Sequence, residues 1–113
     1  MKKEIAARWA FALRSGKYKQ GRRSLCQNNK YCCLGVLCDL ALQKGICVAT
    51  YSEDFLLFDK SKEFLPLKVM EWSGMATSTG SRDGEVSLIE LNDIGKYSFK
   101  KIANIIEKEY KNL

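Results

Sequence analysis

The chain has 113 residues, 46% of them hydrophobic and 28% charged, which suits one soluble globular domain with a core of its own. No apolar run approaches the roughly 18–20 residues that span a bilayer, and Glu4, Arg8 and Arg14 interrupt the apolar part of the N-terminus, which excludes a signal-peptide reading. The net charge is +6, unevenly spread: residues 1–30 hold nine Lys or Arg against Glu4 alone, a segment at +8, and the remainder stands at −2.

In chain order, Lys2 to Ser15 reads as a helix, with Ile5, Trp9 and Leu13 at helical spacing and Gly16 as its stop. Its other face carries Ala7, Ala10 and Phe11 beside Glu4 and Arg8, so the pattern fits either a central position in the domain or a subunit interface. Gly16 to Gly21 is a loop. Arg22 to Cys26 and Lys30 to Cys33 read as a short hairpin around Gln27-Asn28-Asn29, because Asn tolerates turn geometry.

From Cys33 to Lys44, Leu34, Leu37, Cys38, Ala41 and Leu42 recur at three and four, and Gly45 closes the helix. Gly35 inside it costs about 1 kcal/mol of helix propensity, which points to the close approach of another backbone or of a ligand. Ile46–Thr50 and Phe55–Phe58 read as two strands across Tyr51–Asp54. Leu65-Pro66 opens a short helix that stops at Gly74. Ala76–Gly84, rich in Ser, Thr and Gly, is expected to be the most mobile segment. Val86–Leu91 is an apolar run too short to classify, and Asn92–Gly95 reads as a turn. Ser98 caps a last helix with Phe99, Ile102, Ile105, Ile106 and Tyr110 on one stripe. The expected fold is therefore a single α+β domain over residues 1–113, with three or four helices and a small antiparallel sheet.

The chain has no histidine, which removes Ser-His and Cys-His nucleophilic pairs and the commonest general base. Five cysteines without a signal segment suit reduced thiols in an intracellular, cytoplasmic setting. Their spacing, C-x5-C-C-x4-C-x8-C, is unlike the paired zinc patterns, and their leucine-rich surroundings suit small core hydrophobes. Neither Asp83-Gly84-Glu85 nor the Asn92 turn meets the twelve-residue calcium-loop pattern. Walker and dinucleotide motifs are absent as well. The expectation is a protein that is not an enzyme and takes no metal or cofactor.

What remains is a binding constellation. Arg14, Lys17, Arg22 and Arg23 suit phosphate, and Tyr18 and Tyr31 suit stacking on a base. Asn92 and Asp93 have the donors and acceptors to read a base or ribose edge. Trp72 is either a wall of the same pocket or part of the core. The set fits a nucleotide pocket and a nucleic-acid patch nearly equally, and a merely solvated basic surface is the bland alternative.

Four blocks together resemble a family of small phage and prophage proteins. They are Leu13-Arg14-Ser15-Gly16-Lys17-Tyr18 with Gln20-Gly21-Arg22; Tyr31-Cys32-Cys33-Leu34-Gly35-Val36-Leu37-Cys38-Asp39-Leu40; Leu65-Pro66 with Val69, Trp72 and Gly74; and Leu91-Asn92-Asp93 with Gly95, Ser98-Phe99 and Ile102-Ala103. They also look distantly like small bacterial domains that place a C-x-L-G helix ahead of a late Asn-Asp turn. The resemblance carries no catalytic residues. It implies the class of phage proteins that disarm host defence, acting in the cytoplasm of an infected bacterium. Some of these are oligomeric sponges that sequester nucleotide immune signals such as cyclic dinucleotides or cyclic ADP-ribose derivatives. Others block CRISPR effectors, and acidic nucleic-acid mimicry is at odds with the +8 segment. The leading expectation is a homo-oligomeric sponge for a phosphorylated nucleotide; the alternative is a nucleic-acid-binding or effector-blocking protein.

Overall fold

In the computed structural model, which describes residues 1–113, the chain runs α1 (Lys3–Arg14), β1 (Lys19–Gln20), β2 (Cys26–Gln27), β3 (Lys30–Tyr31), α2 (Cys33–Gln43), β4 (Ala49–Ser52), β5 (Phe55–Phe58), α3 (Leu67–Ser73), α4 (Leu88–Asp93) and α5 (Phe99–Glu109), ending in one 3-10 turn (Tyr110–Asn112). This is the α+β architecture expected, with five helices instead of three or four. No helix is long and apolar enough to cross a membrane.

α2 is the pivot. Residues 33–38 are all buried, because Cys33, Leu34, Val36, Leu37 and Cys38 are apolar on nearly every side and other elements close around them. α1, α3 and α4 each pack on α2, and α1 packs most extensively against α5. Trp9 of α1 is fully buried and donates its indole N–H to the Cys33 carbonyl at 2.9 Å, tying the two helices together. Gly35 has the close neighbour its position suggested, and that neighbour is backbone: a Cβ there would lie 1.8 Å from the Leu25 carbonyl oxygen.

The five short strands form one sheet in the order β1-β3-β2-β5-β4. The β2–β3 hairpin turns on Asn28 and Asn29, both at positive φ (51° and 62°), the geometry of a two-residue primed turn. β4 and β5 pair from Ala49↔Phe58 to Ser52↔Phe55, so Tyr51 and Ser52 belong to a strand and the turn contracts to Glu53-Asp54. The sheet is not wholly antiparallel. β1 lies parallel to β3, with Lys19↔Lys30 and Gln20↔Tyr31, because the loop after α1 enters on the far side of the hairpin.

One further expectation is corrected. Asn92 and Asp93 close α4, whose N-cap is Ser87, so Val86–Leu91 leads into a helix and the turn begins only at Ile94. The Ser/Thr/Gly segment is tied down at several points. Leu65 N–H donates to Ser78 O, Leu88 N–H to Gly80 O and Ala76 N–H to Leu113 O. Gly80 is buried with positive φ, and Arg82 runs nearly buried to Glu109 at 2.6 Å and to the Val86 carbonyl at 2.8 Å. The segment is the loop that its composition suggests, and backbone and ion-pair contacts fasten it and the residues after it to distant elements.

Candidate functional site

A cavity of about 530 Å³ opens between α1, the loop that follows it, the C-terminal half of α2, and Trp72 of α3. On α1, Ala7, Phe11 and Ser15 follow at i, i+4 and i+8, with Arg8 and Ala12 alongside, so they share one face of the helix. Ala7 and Phe11 come from the second apolar face seen in the sequence, whose Ala10 is buried in the core; the part at the cavity is open. Phe11 is 75% exposed. Across from it stand Leu40, Gln43 and Lys44 of α2. Gly16, at φ +78°, turns the chain so that Lys17 and Tyr18 complete the wall.

The lining thus combines three aromatic rings (Phe11, Tyr18, Trp72), three cations (Arg8, Lys17, Lys44) and no carboxylate. Aromatic faces accept planar rings, and three cations at the rim present a positive potential to anions, offset in part by Asp39 behind Tyr18 and Gln43. Tyr18 is held on two sides. Its ring stands edge-on to Tyr31, centroids 5.1 Å apart and planes at 81°, and Lys17 Nζ lies 5.5 Å above it. Its hydroxyl donates to Asp39, whose carboxylate also takes a 2.8 Å bond from Gln43 Nε2. Burial, and then Asp39, push the ionisation of Tyr18 far above the ordinary phenol range, so it stays a neutral donor.

The structure divides the residues singled out in the sequence. Lys17, Tyr18 and Trp72 line the cavity, and Tyr31 supports Tyr18 from behind. Arg14 is directed elsewhere: its guanidinium donates to Asn104 Oδ1 at 2.6 Å and to Glu107 at 2.5 Å, staples α1 to α5, and is raised in pKa by that carboxylate. Arg22 is exposed beyond β1 and lines neither cavity. Arg23 and Asp93 face a second, smaller hollow of about 310 Å³ with Glu63, Phe64, Ile89, Glu90 and Ile94.

Asn92 is corrected from ligand reader to internal strut. It is fully buried, and its Oδ1 accepts from Gln20 Nε2 at 2.8 Å and from Cys33 N–H, the first amide of α2, at 3.2 Å. Its Nδ2 donates to the Gly21 carbonyl and to Asp93 Oδ1, both at 2.9 Å, so nothing is left for a ligand. Sequence reasoning also missed Arg8, Phe11, Gln43 and Lys44. A helical wheel points to the α1 part only in outline: Arg8 and Arg14 both lie about 60° around the helix from Phe11, on opposite sides of it, and packing decides which of them rims the cavity.

All five cysteines are buried and unpaired. Burial pushes every thiol up, Cys32 to about 12 and Cys47 to about 11, which suits core packing and not a thiolate. No three His, Cys, Asp or Glu side chains converge as a metal site would require.

Fold and cavity together define a small α+β domain with an aromatic-walled, cation-rimmed recess and a helical pivot. The chain belongs to the family described as Domain of unknown function (DUF8296), whose match covers residues 1–110. Comparison with curated proteins and with solved structures returned no match.

Proposed function

We propose that this protein binds and holds a small phosphorylated nucleotide without turning it over, in the manner of a phage counter-defence sponge for a nucleotide immune signal. The observation that carries the reading is the lining of the 530 Å³ cavity: Phe11, Tyr18 and Trp72 beside Arg8, Lys17 and Lys44, with no acid. A cavity of this size falls within the usual range for small-molecule sites. In this reading a base stacks between rings, the cations meet phosphate, and the side chains of Gln43 and Ser15 supply polar selection. The chemistry fits cyclic dinucleotides and ADP-ribose derivatives, the ligands that the phage resemblance suggests.

The test is a thermal-shift screen with cyclic dinucleotides, ADP-ribose derivatives, mononucleotides and short oligonucleotides at low and high salt. A ligand at about 100 times its Kd adds roughly 2.7 kcal/mol to the folded state. One small nucleotide that shifts the melt and is recovered unaltered supports the reading; a consumed nucleotide, or none that shifts it, overturns it. Phe11→Ala and Lys44→Glu, both at exposed positions, are expected to weaken binding about tenfold or more.

One observation favours the alternative, a nucleic-acid surface. Lys19 and Lys30 are register partners in β1 and β3, both exposed, with exposed Arg22 close by in sequence. Like charges set side by side in a sheet repel unless a polyanion lies across them. Binding there would fall steeply with salt and show little preference for sequence.

A further inference from the structure

The second hollow has the opposite character from the first. Phe64, Ile89 and Ile94 form its apolar part, and Phe64 and Ile94 are 47% and 77% exposed. Around them stand Glu63, Glu90 and Asp93 against the single cation Arg23, a net −2 on a chain of net +6. The Phe11 face presents an exposed aromatic ring with Arg8, Lys17 and Lys44 among the lining side chains, an excess of positive charge that exposed Glu4 and the Asp39 carboxylate behind Tyr18 only partly offset. Each chain therefore carries two exposed apolar surfaces of opposite charge, formed by different elements.

We propose that copies of this chain associate with one another, the Phe11 face of one seating against the Phe64–Ile94 hollow of the next. Charge selects this pairing. Two Phe11 faces brought together oppose cations to cations and two hollows oppose carboxylates to carboxylates, whereas the mixed pairing attracts and buries Phe11 against Phe64 and Ile94. Such a contact is heterologous, using different patches on the two copies, so it closes a ring or continues as a chain of copies. The contact involves the rim of the larger cavity, so a filled cavity and a docked copy exclude one another; the association itself stands without the ligand reading.

The experiment is sedimentation velocity of the full chain across a concentration series at low and high salt, with no nucleotide present. Wild type is expected to form species larger than a monomer at low salt, and these are expected to dissociate as salt screens the charges. Phe11→Glu and Ile94→Lys each alter a side chain about three-quarters exposed in the monomer, so both variants should melt like wild type. Each alone is expected to sediment as a monomer. Their equimolar mixture is expected to associate again, because the intact Phe11 face of one variant meets the intact hollow of the other. A wild type that stays monomeric throughout, single variants that associate as wild type does, or a mixture that stays monomeric overturns the proposal.

Discussion

Replacing Asn92 with Ala removes a side chain that joins four segments: the α4 end, the β1 strand through Gln20, the Gly21 carbonyl and the first turn of α2. The cost follows from what is left behind. The Cys33 N–H is one of the amides at a helix start that lack an intrahelical partner, and Cys33 is completely buried, so water cannot replace Asn92 Oδ1 without entering the core. An orphaned buried donor costs about 1–3 kcal/mol. The Gly21 carbonyl loses its 2.9 Å donor as well, while Gln20 keeps a second bond, to the Tyr97 carbonyl at 2.8 Å. With the void left by the amide, the total comes to about 3–5 kcal/mol. At the usual urea dependence of about 1–3 kcal/mol per molar, the denaturation midpoint should fall by at least about 1 M. Exposed Asn112→Ala is the control and should stay within about 0.5 kcal/mol of wild type. An Asn92→Ala protein within about 1 kcal/mol of wild type would refute the strut argument and reopen a ligand role for the residue.

Gly35→Ala sets about 1 kcal/mol of gained helix propensity against a Cβ placed 1.8 Å from Leu25 O and 2.7 Å from Leu25 C. Backbone does not yield as a flexible side chain does, so a net loss of about 2 kcal/mol or more is expected, a fall in Tm of roughly 8 °C; an unchanged or raised Tm would contradict the packing. Arg14→Ala breaks an exposed pair with Glu107 and should cost less than about 1 kcal/mol. It should also leave nucleotide affinity unchanged where Lys17→Glu lowers it, and equal losses in titration calorimetry would show that the cavity is drawn wrongly. The Cys32 thiol is held up at about 12 in the fold, above its ordinary 9.0, so the folded chain binds that proton more tightly than the unfolded chain does. Stability is then full below about pH 9 and declines as pH rises toward 12, so urea midpoints should drop between about pH 8 and about pH 10.5. A midpoint flat across that window would count against buried neutral thiols.

Much of the fold was legible because it is written in local periodicity and turn chemistry. The Phe99-Ile102-Ile106 stripe behind the Ser98 cap is α5, the Asn28-Asn29 pair is a hairpin turn, and the apolar run from Cys33 is the central helix. Gly35 signalled a close neighbour because a glycine inside a helix is otherwise a cost. Charge was legible only as an amount. Arg8 and Arg14 are equivalent in composition, yet one rims the cavity and the other is spent on α5. Asn92 looked like a turn residue because an isolated Asn-Asp-x-Gly favours a turn; packing on α2 extends α4 through it and encloses its amide. Sequence alone determined the class, the basic N-terminal segment, the absence of histidine chemistry and most element positions. Only tertiary structure decided that Lys17, Tyr18 and Trp72 meet while Arg14, Asn92 and Asp93 point elsewhere, because periodicity defines the faces of each helix and packing decides which faces meet.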